Sequence, residues 1–174
     1  MAVYRRLMST PVILAAVSIA CRQSGSGSVE AHNVGNPTDV VAEYLYRDSR
    51  GERLQPDQWF RSVWAWEDEP AWDEITLIRS YEIEGDSIVS DTARIAVRYE
   101  VLGVLQGTPE GTPMRFVPRE GSERVEFVVA KTGVEWQVTF PSINPHVLAD
   151  SILTYRPGIL SPEHAAVMDS LLNR

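Results

Sequence analysis

Between residues 93 and 101 the chain alternates almost strictly. Ala93, Ile95, Val97, Tyr99 and Val101 occupy one phase; Arg94, Ala96, Arg98 and Glu100 occupy the other. Successive side chains of a strand point to opposite faces, so this segment is a strand with one buried and one wet face. Such a strand needs neighbours for its backbone groups and a second layer over its apolar face. With Cys21 as the only cysteine, no internal disulfide can staple the fold, so the core alone must hold it.

The neighbours are legible nearby. Ile75, Leu77, Tyr81 and Ile83 share a period of two, with Arg79 intruding. Val125, Phe127 and Val129 pair with Trp136, Val138 and Phe140 through a turn at Lys131-Thr132-Gly133, an antiparallel hairpin. Gly103 to Glu123 is rich in Gly and Pro and reads as a loop, with a short strand at Met114-Arg115-Phe116-Val117 before Pro118.

Helices flank the strands. Asn36 as N-cap, Pro37 at N1 and Asp39 in the first turn open a helix with Val40, Val41, Tyr44 and Leu45 on one face, and Gly51 ends it. A second helix is predicted from Pro56, with Trp59, Phe60, Val63 and Trp64 at helical spacing. Asn144-Pro145 and Ser161-Pro162 repeat the cap-plus-proline signal. They predict helices carrying Leu148, Ile152 and Tyr155, then Val167, Met168, Leu171 and Leu172.

This pattern predicts an α+β domain over residues 37–174: N-terminal helices on one face of a curved antiparallel sheet, with C-terminal helices following. From Pro37 to Pro141 the element order, with Trp136 in the last strand, resembles the NTF2-like superfamily, a cystatin-like cone. The resemblance implies a pocket inside the cone, where the enzymes of that superfamily use a buried Asp, His or Tyr.

The predicted inner faces carry aliphatic and aromatic residues and no carboxylate or histidine. Tyr81, Tyr99, Arg79 and Trp136 are the candidate pocket residues, although amphipathic tyrosines serve a packed core equally well. No catalytic residue is assigned. His146 and Asp150 fall four apart on a predicted helix, the spacing of a surface ion pair; a metal site needs a third ligand, so neither metal nor cofactor is expected. His164 stands near a helix start and His32 outside the domain, neither with a visible partner. Trp66 and Trp72, with Glu67, Asp68 and Glu69, form a candidate interaction surface for sugar rings or a cationic protein segment. The plainer reading of the same stretch is core tryptophans followed by a solvated acidic loop.

Arg5 and Arg6 precede an apolar run from Pro11 to Ala20, too short to span a bilayer, which needs about 20 apolar residues. Residues 1–20 therefore read as a signal peptide. Val17-Ser18-Ile19-Ala20-Cys21 resembles the lipobox of bacterial lipoproteins, with Ser18 departing from the large aliphatic residue usual there. The resemblance implies cleavage before Cys21 and acylation of that cysteine, and Arg22 in place of aspartate leans toward the outer membrane. Ser18-Ile19-Ala20 also fits an ordinary secretory cleavage site, which would give a soluble secreted or periplasmic protein. A lone thiol in an exported protein favours the lipid anchor, which consumes the sulfur.

The polar, Gly/Ser-rich residues 21–36 then read as the lipidated cysteine and a flexible tether. Cleavage removes two arginines and no acids, taking the formal charge from −8 to −10. So acidic a surface repels phosphate backbones, which excludes nucleic acid as a partner. The expectation is a membrane-anchored, noncatalytic binding or assembly domain of the cell envelope that meets an envelope protein or a small-molecule ligand. The alternative is an NTF2-like isomerase, hydrolase or carrier for a small apolar molecule.

Overall fold

The computed structural model describes residues 35–54, 72–107, 113–155 and 158–173. The predicted signal peptide, the predicted tether up to residue 34 and the predicted helix with Trp59, Phe60, Val63 and Trp64 lie outside the described residues.

Helix α1 (Pro37–Ser49) starts as its sequence dictates. The Asn36 side chain accepts the Thr38 N–H at 3.1 Å, and Pro37 needs no partner for an absent donor. Its apolar stripe, Val40, Val41, Tyr44 and Leu45, is fully buried. Gly51 takes a left-handed φ of 74°, and its N–H donates to the Asp48 carbonyl at 2.8 Å, ending the helix. A single 3-10 turn (Glu52–Leu54) follows.

Five strands form one sheet: β1 (Glu74–Val89), β2 (Thr92–Gln106), β3 (Arg115–Thr132), β4 (Glu135–Phe140) and β5 (His146–Leu148), in the order β4-β3-β2-β1-β5. The first four pair antiparallel and the sheet curls into a half-barrel. The α+β class holds. The sheet is mixed rather than antiparallel, because β5 runs parallel to β1. Here the Asn144-Pro145 signal misleads: the Thr76 N–H donates to the Pro145 carbonyl at 2.9 Å, and residues 146–148 extend the sheet edge. Proline is tolerated there because it precedes the strand. Helix α2 (Ala149–Tyr155) begins only afterwards, whereas Ser161-Pro162 does open α3 (Pro162–Leu172), the Ser161 Oγ accepting the His164 N–H at 3.4 Å.

The predicted loop between Gly103 and Glu123 is largely sheet. β2 runs on to Gln106, and β3 starts at Arg115 and continues through Pro118 and Gly121. Pro118 sits opposite Gly103 at a register shift, the kind of irregularity where a sheet accepts proline. The close approach explains Gly103: a Cβ there would meet the Val117 carbonyl oxygen at 2.4 Å.

Bulges also correct the face assigned to β1. The register shifts on either side of Ile78 put adjacent residues on opposite faces. Ile75 and Leu77 join one core with Leu102, Leu105, Phe116, Ile152, Met168 and Leu171, beneath α2 and α3. Ile78, with Tyr81 and Ile83 at its margin, joins the other, where Ile95, Val97, Tyr99, Phe127, Val129 and Val138 meet α1. Helices thus cover both faces rather than one. A further shift between Val128 and Val129 pairs Phe140 with Val128 and leaves it 60% exposed, so it does not share the buried face of Val138.

Candidate functional site

The inner face, that of Tyr99 and Phe127, does carry carboxylates and a histidine, contrary to the sequence expectation. Three elements deliver them. The buried stripe of α1 continues one turn past Tyr44 to Asp48, which is 1% exposed. The turn after α1 supplies Arg53, 5% exposed. Strand β5 supplies His146, which is a buried strand residue and not a surface helix residue paired with Asp150.

Asp48 is the hub. Its Oδ1 faces Arg53 Nη1 at 3.5 Å, and its Oδ2 accepts the His146 backbone N–H at 3.0 Å and the Tyr44 hydroxyl at 3.4 Å. Arg53 also donates to the Tyr44 oxygen at 2.7 Å and to the Ile143 carbonyl at 3.0 Å. Its guanidinium lies 5.2 Å from the Trp72 ring centroid, a cation–π contact. These bonds tie α1 to the segment leading into β5. Burial pushes the Asp48 carboxyl above its usual pKa, outweighing the opposing pull of Arg53 and His146.

His146 reaches across the half-barrel. Its ring lies 4.3 Å from that of Tyr99 on β2, and its Nε2 is 3.7 Å from Glu123 Oε2 on β3. Flat strands sit about 4.8 Å apart, so an edge strand meets one three places away only because the sheet curls. Its Nδ1 lies 2.7 Å from the Asn144 carbonyl. A carbonyl only accepts, so Nδ1 carries a proton. Among the described residues neither that Nε2 nor the Tyr99 hydroxyl has a hydrogen-bond partner. Burial first, then the nearby Tyr44 and Asp48, drive the Tyr99 phenol well above its usual pKa, and it stays neutral.

Interaction with His146 holds the Glu123 carboxyl below its usual value of 4.5, against partial burial. At 3.7 Å this contact is an electrostatic one and not a closed hydrogen bond. The linkage has a definite sign. A lowered folded pKa gives stability that is complete above about 4.5 and is lost as pH falls through the folded value. Glu123→Gln is therefore expected to flatten the acid limb of a stability–pH curve below 4.5, leaving neutral stability little changed because Glu123 is half-exposed. An unchanged acid limb in a urea-denaturation series would reject the coupling. Asp48 acts oppositely: its raised folded pKa makes the folded state the tighter proton binder as pH falls.

His146 and Glu123 lie on the wall of an open cleft of about 680 Å³, lined also by Glu74, Thr76, Arg119, Glu120, Ser122, Arg124 and Asn144. The volume suits a small ligand, and the lining is more polar than most such sites. No group of three or more His, Cys, Asp or Glu placed to hold a metal occurs among the described residues.

The candidate pocket residues separate. Tyr99 is 1% exposed within the inner core, and Tyr81 and Trp136 pack against its margin. Arg79 is exposed at the bulge and donates from Nη2 to the Leu171 carbonyl at 2.8 Å, satisfying the last turn of α3. Of the candidate interaction surface, Trp72 is half-buried beside Arg53, while Trp66, Glu67, Asp68 and Glu69 lie outside the described residues. His164 is part-buried at the start of α3, and His32 is outside. Sequence signals for the missed residues exist. Asp48 continues the α1 stripe, and Glu123 falls in phase with Val125, Phe127 and Val129.

No family model, no curated protein and no solved structure matches the chain.

Proposed function

We propose that the chain is an exported, lipid-anchored binding domain of the cell envelope, and that the cleft floored by His146 is where it takes its ligand or partner. One observation carries the cleft assignment: a buried imidazole whose Nε2 has no partner among the described residues stands on the wall of an open polar cavity. A buried polar atom left unpaired is costly, and a ligand that completes it recovers that cost. The export assignment rests on Arg5, Arg6, the apolar run to Ala20, and Cys21. The curled sheet closed on its inner face by an N-terminal helix supports a relationship to the NTF2-like cone, and the parallel β5 is the point of departure.

The cleft is tested by placing a photo-crosslinking side chain at Ser122, on the cleft wall, and in a second variant at Ser87, in the β1 arm away from it. Adducts formed in intact cells from position 122 and not from 87 support the reading; equal adducts, or none at 122, overturn it. The anchor has its own test. Cys21→Ala is expected to leave a folded domain that no longer pellets with membranes, because stable anchoring comes from the acyl chains. An intact mass matching an unmodified chain that begins at Cys21 would leave ordinary secretion instead.

A second reading, an enzyme, is favoured by the same juxtaposition. His146 and Glu123 are a base and a carboxylate 3.7 Å apart at a cleft, beside the neutral phenol of Tyr99. Turnover of any trapped ligand that is abolished by His146→Gln, with binding retained, would select it.

A further inference from the structure

We infer that the folded domain itself rests on a lipid surface, through the end of the sheet where two hairpin turns meet and Ile88, Val89 and Val134 are exposed. The inference rests on the anchored reading above and adds to it a second membrane contact, made by the sheet. The β1–β2 hairpin turns at Ser90-Asp91 and the β3–β4 hairpin at Gly133-Val134. These turns lie side by side, because Thr92 pairs with Ala130 and the Lys131 N–H donates to the Asp91 carbonyl at 2.9 Å. Tight turns call for glycine or a short polar residue at left-handed positions. Ser90, with a φ of 54°, and Gly133, with a φ of 68°, meet that need, and a valine stands beside each. Val89 is 73% exposed, Val134 78% and Ile88 51%, so core packing does not account for them. Among the described residues the other exposed large apolar side chains, Tyr46, Phe140 and Val167, stand apart on α1, the far end of β4 and α3.

The chain enters the domain at the same end. Asn36 caps α1, and the Thr38 hydroxyl donates to Asp86 Oδ2 at 3.2 Å. Asp86 lies three residues before Val89 on β1, about 10 Å along the strand. Fifteen residues separate Cys21 from Asn36, and a Gly/Ser-rich coil of that length spans about 20 Å on average. An acyl anchor at Cys21 therefore brings this end of the sheet nearest the lipid. Tethering makes docking intramolecular, so a few side chains suffice. Burying one aliphatic side chain favours the docked state about tenfold or more. The charges beside the turns are Asp86, Asp91 and Glu135 against Lys131, so apolar insertion rather than attraction to anionic headgroups supplies the contact. The same posture keeps the cleft in water: Thr76 on the cleft wall and Ile88 at the tip are separated by about 40 Å of β1.

The test uses the purified full chain with an environment-sensitive fluorescent side chain at Thr132, beside the tip, or at Ser122 on the cleft wall. Each form is mixed with phosphatidylcholine vesicles whose acyl chains bear a nitroxide quencher. Emission from position 132 is expected to shift to the blue and be quenched, and emission from position 122 to do neither. Ile88→Ser combined with Val89→Ser should lower the docked-to-free ratio read at 132 about tenfold or more. Its melting temperature should hold, because both side chains are exposed. Protein that floats with the vesicles without quenching at 132 overturns the tip contact and leaves the anchor. Equal quenching at 132 and 122 overturns it too. So does a blue shift at 132 that needs no lipid and grows with protein concentration, which makes a second copy the occupant. If the intact mass carries no acyl chains, the anchored reading fails by itself. Saturable quenching at 132 on vesicle titration then still sustains the tip contact, and its absence overturns it.

Discussion

Asp48→Ala is expected to destabilise the domain by about 3–5 kcal/mol, the range seen when one partner of a buried ion pair is removed. Asp48 and Arg53 side chains are 1% and 0% exposed, so the substitution strands a cation inside the protein. It also removes the acceptor for the His146 N–H and for the Tyr44 hydroxyl. Replacing both members of the pair with apolar residues of similar volume should cost far less, since a buried pair is a weak net stabiliser once its desolvation is counted. Urea denaturation of the single and double variants checks this. An Asp48→Ala loss under about 1 kcal/mol would mean that Arg53 escapes to solvent. In NMR spectra of the variant at concentrations where it stays folded, the His146 signals should move, because its backbone loses its link to α1.

Phe127→Ala is the second large effect, expected at about 3–5 kcal/mol. Phe127 is fully buried on the inner face, opposite Ile95, with its ring 5.3 Å from that of Tyr44. The cost measures how filled the half-barrel is beneath α1. Truncating a side chain in a packed core leaves a cavity that its neighbours only partly close, whereas truncation beside an existing space removes little contact. A loss near zero would place an apolar ligand chamber under α1, reviving a carrier for small apolar molecules. Trp136, half-buried on edge strand β4, is the weaker probe, and its truncation should cost less than that of Phe127.

What the sequence revealed followed from local rules. The caps at Asn36 and Ser161, the α1 stripe, the alternation of β2 and the β3–β4 hairpin are each set by residues within a few positions of one another. What stayed hidden depended on distant partners. The same Asn-Pro signal serves a helix or a strand, and only the open edge of β1 at Thr76–Ile78 decides that residues 146–148 become β5. The bulge at Ile78 likewise arises from pairing with β2, and its trace in the sequence is Arg79 breaking the alternation of β1. The site was lost for the same reason. Asp48, Arg53, Glu123 and His146 are scattered charges until the curl of the sheet brings them together, and starting β3 at Val125 left Glu123 in a loop.

The link from Asp48 to the His146 backbone spans 98 residues of chain, and it dates the site within the folding process. The β1–β2–β3 meander forms from contacts near in sequence, while the parallel docking of β5 must close a long loop and is the entropically dearer step. A chain with its meander formed and β5 still undocked would have Tyr99 and Asp48 uncovered and no cleft floor. If the chain is threaded through a membrane from its N-terminus, those two residues emerge long before the segment that covers them. The proposed cleft would then be complete only once the segment carrying β5 has arrived, so a truncated or stalled export product would be folded in part and lack the cleft floor.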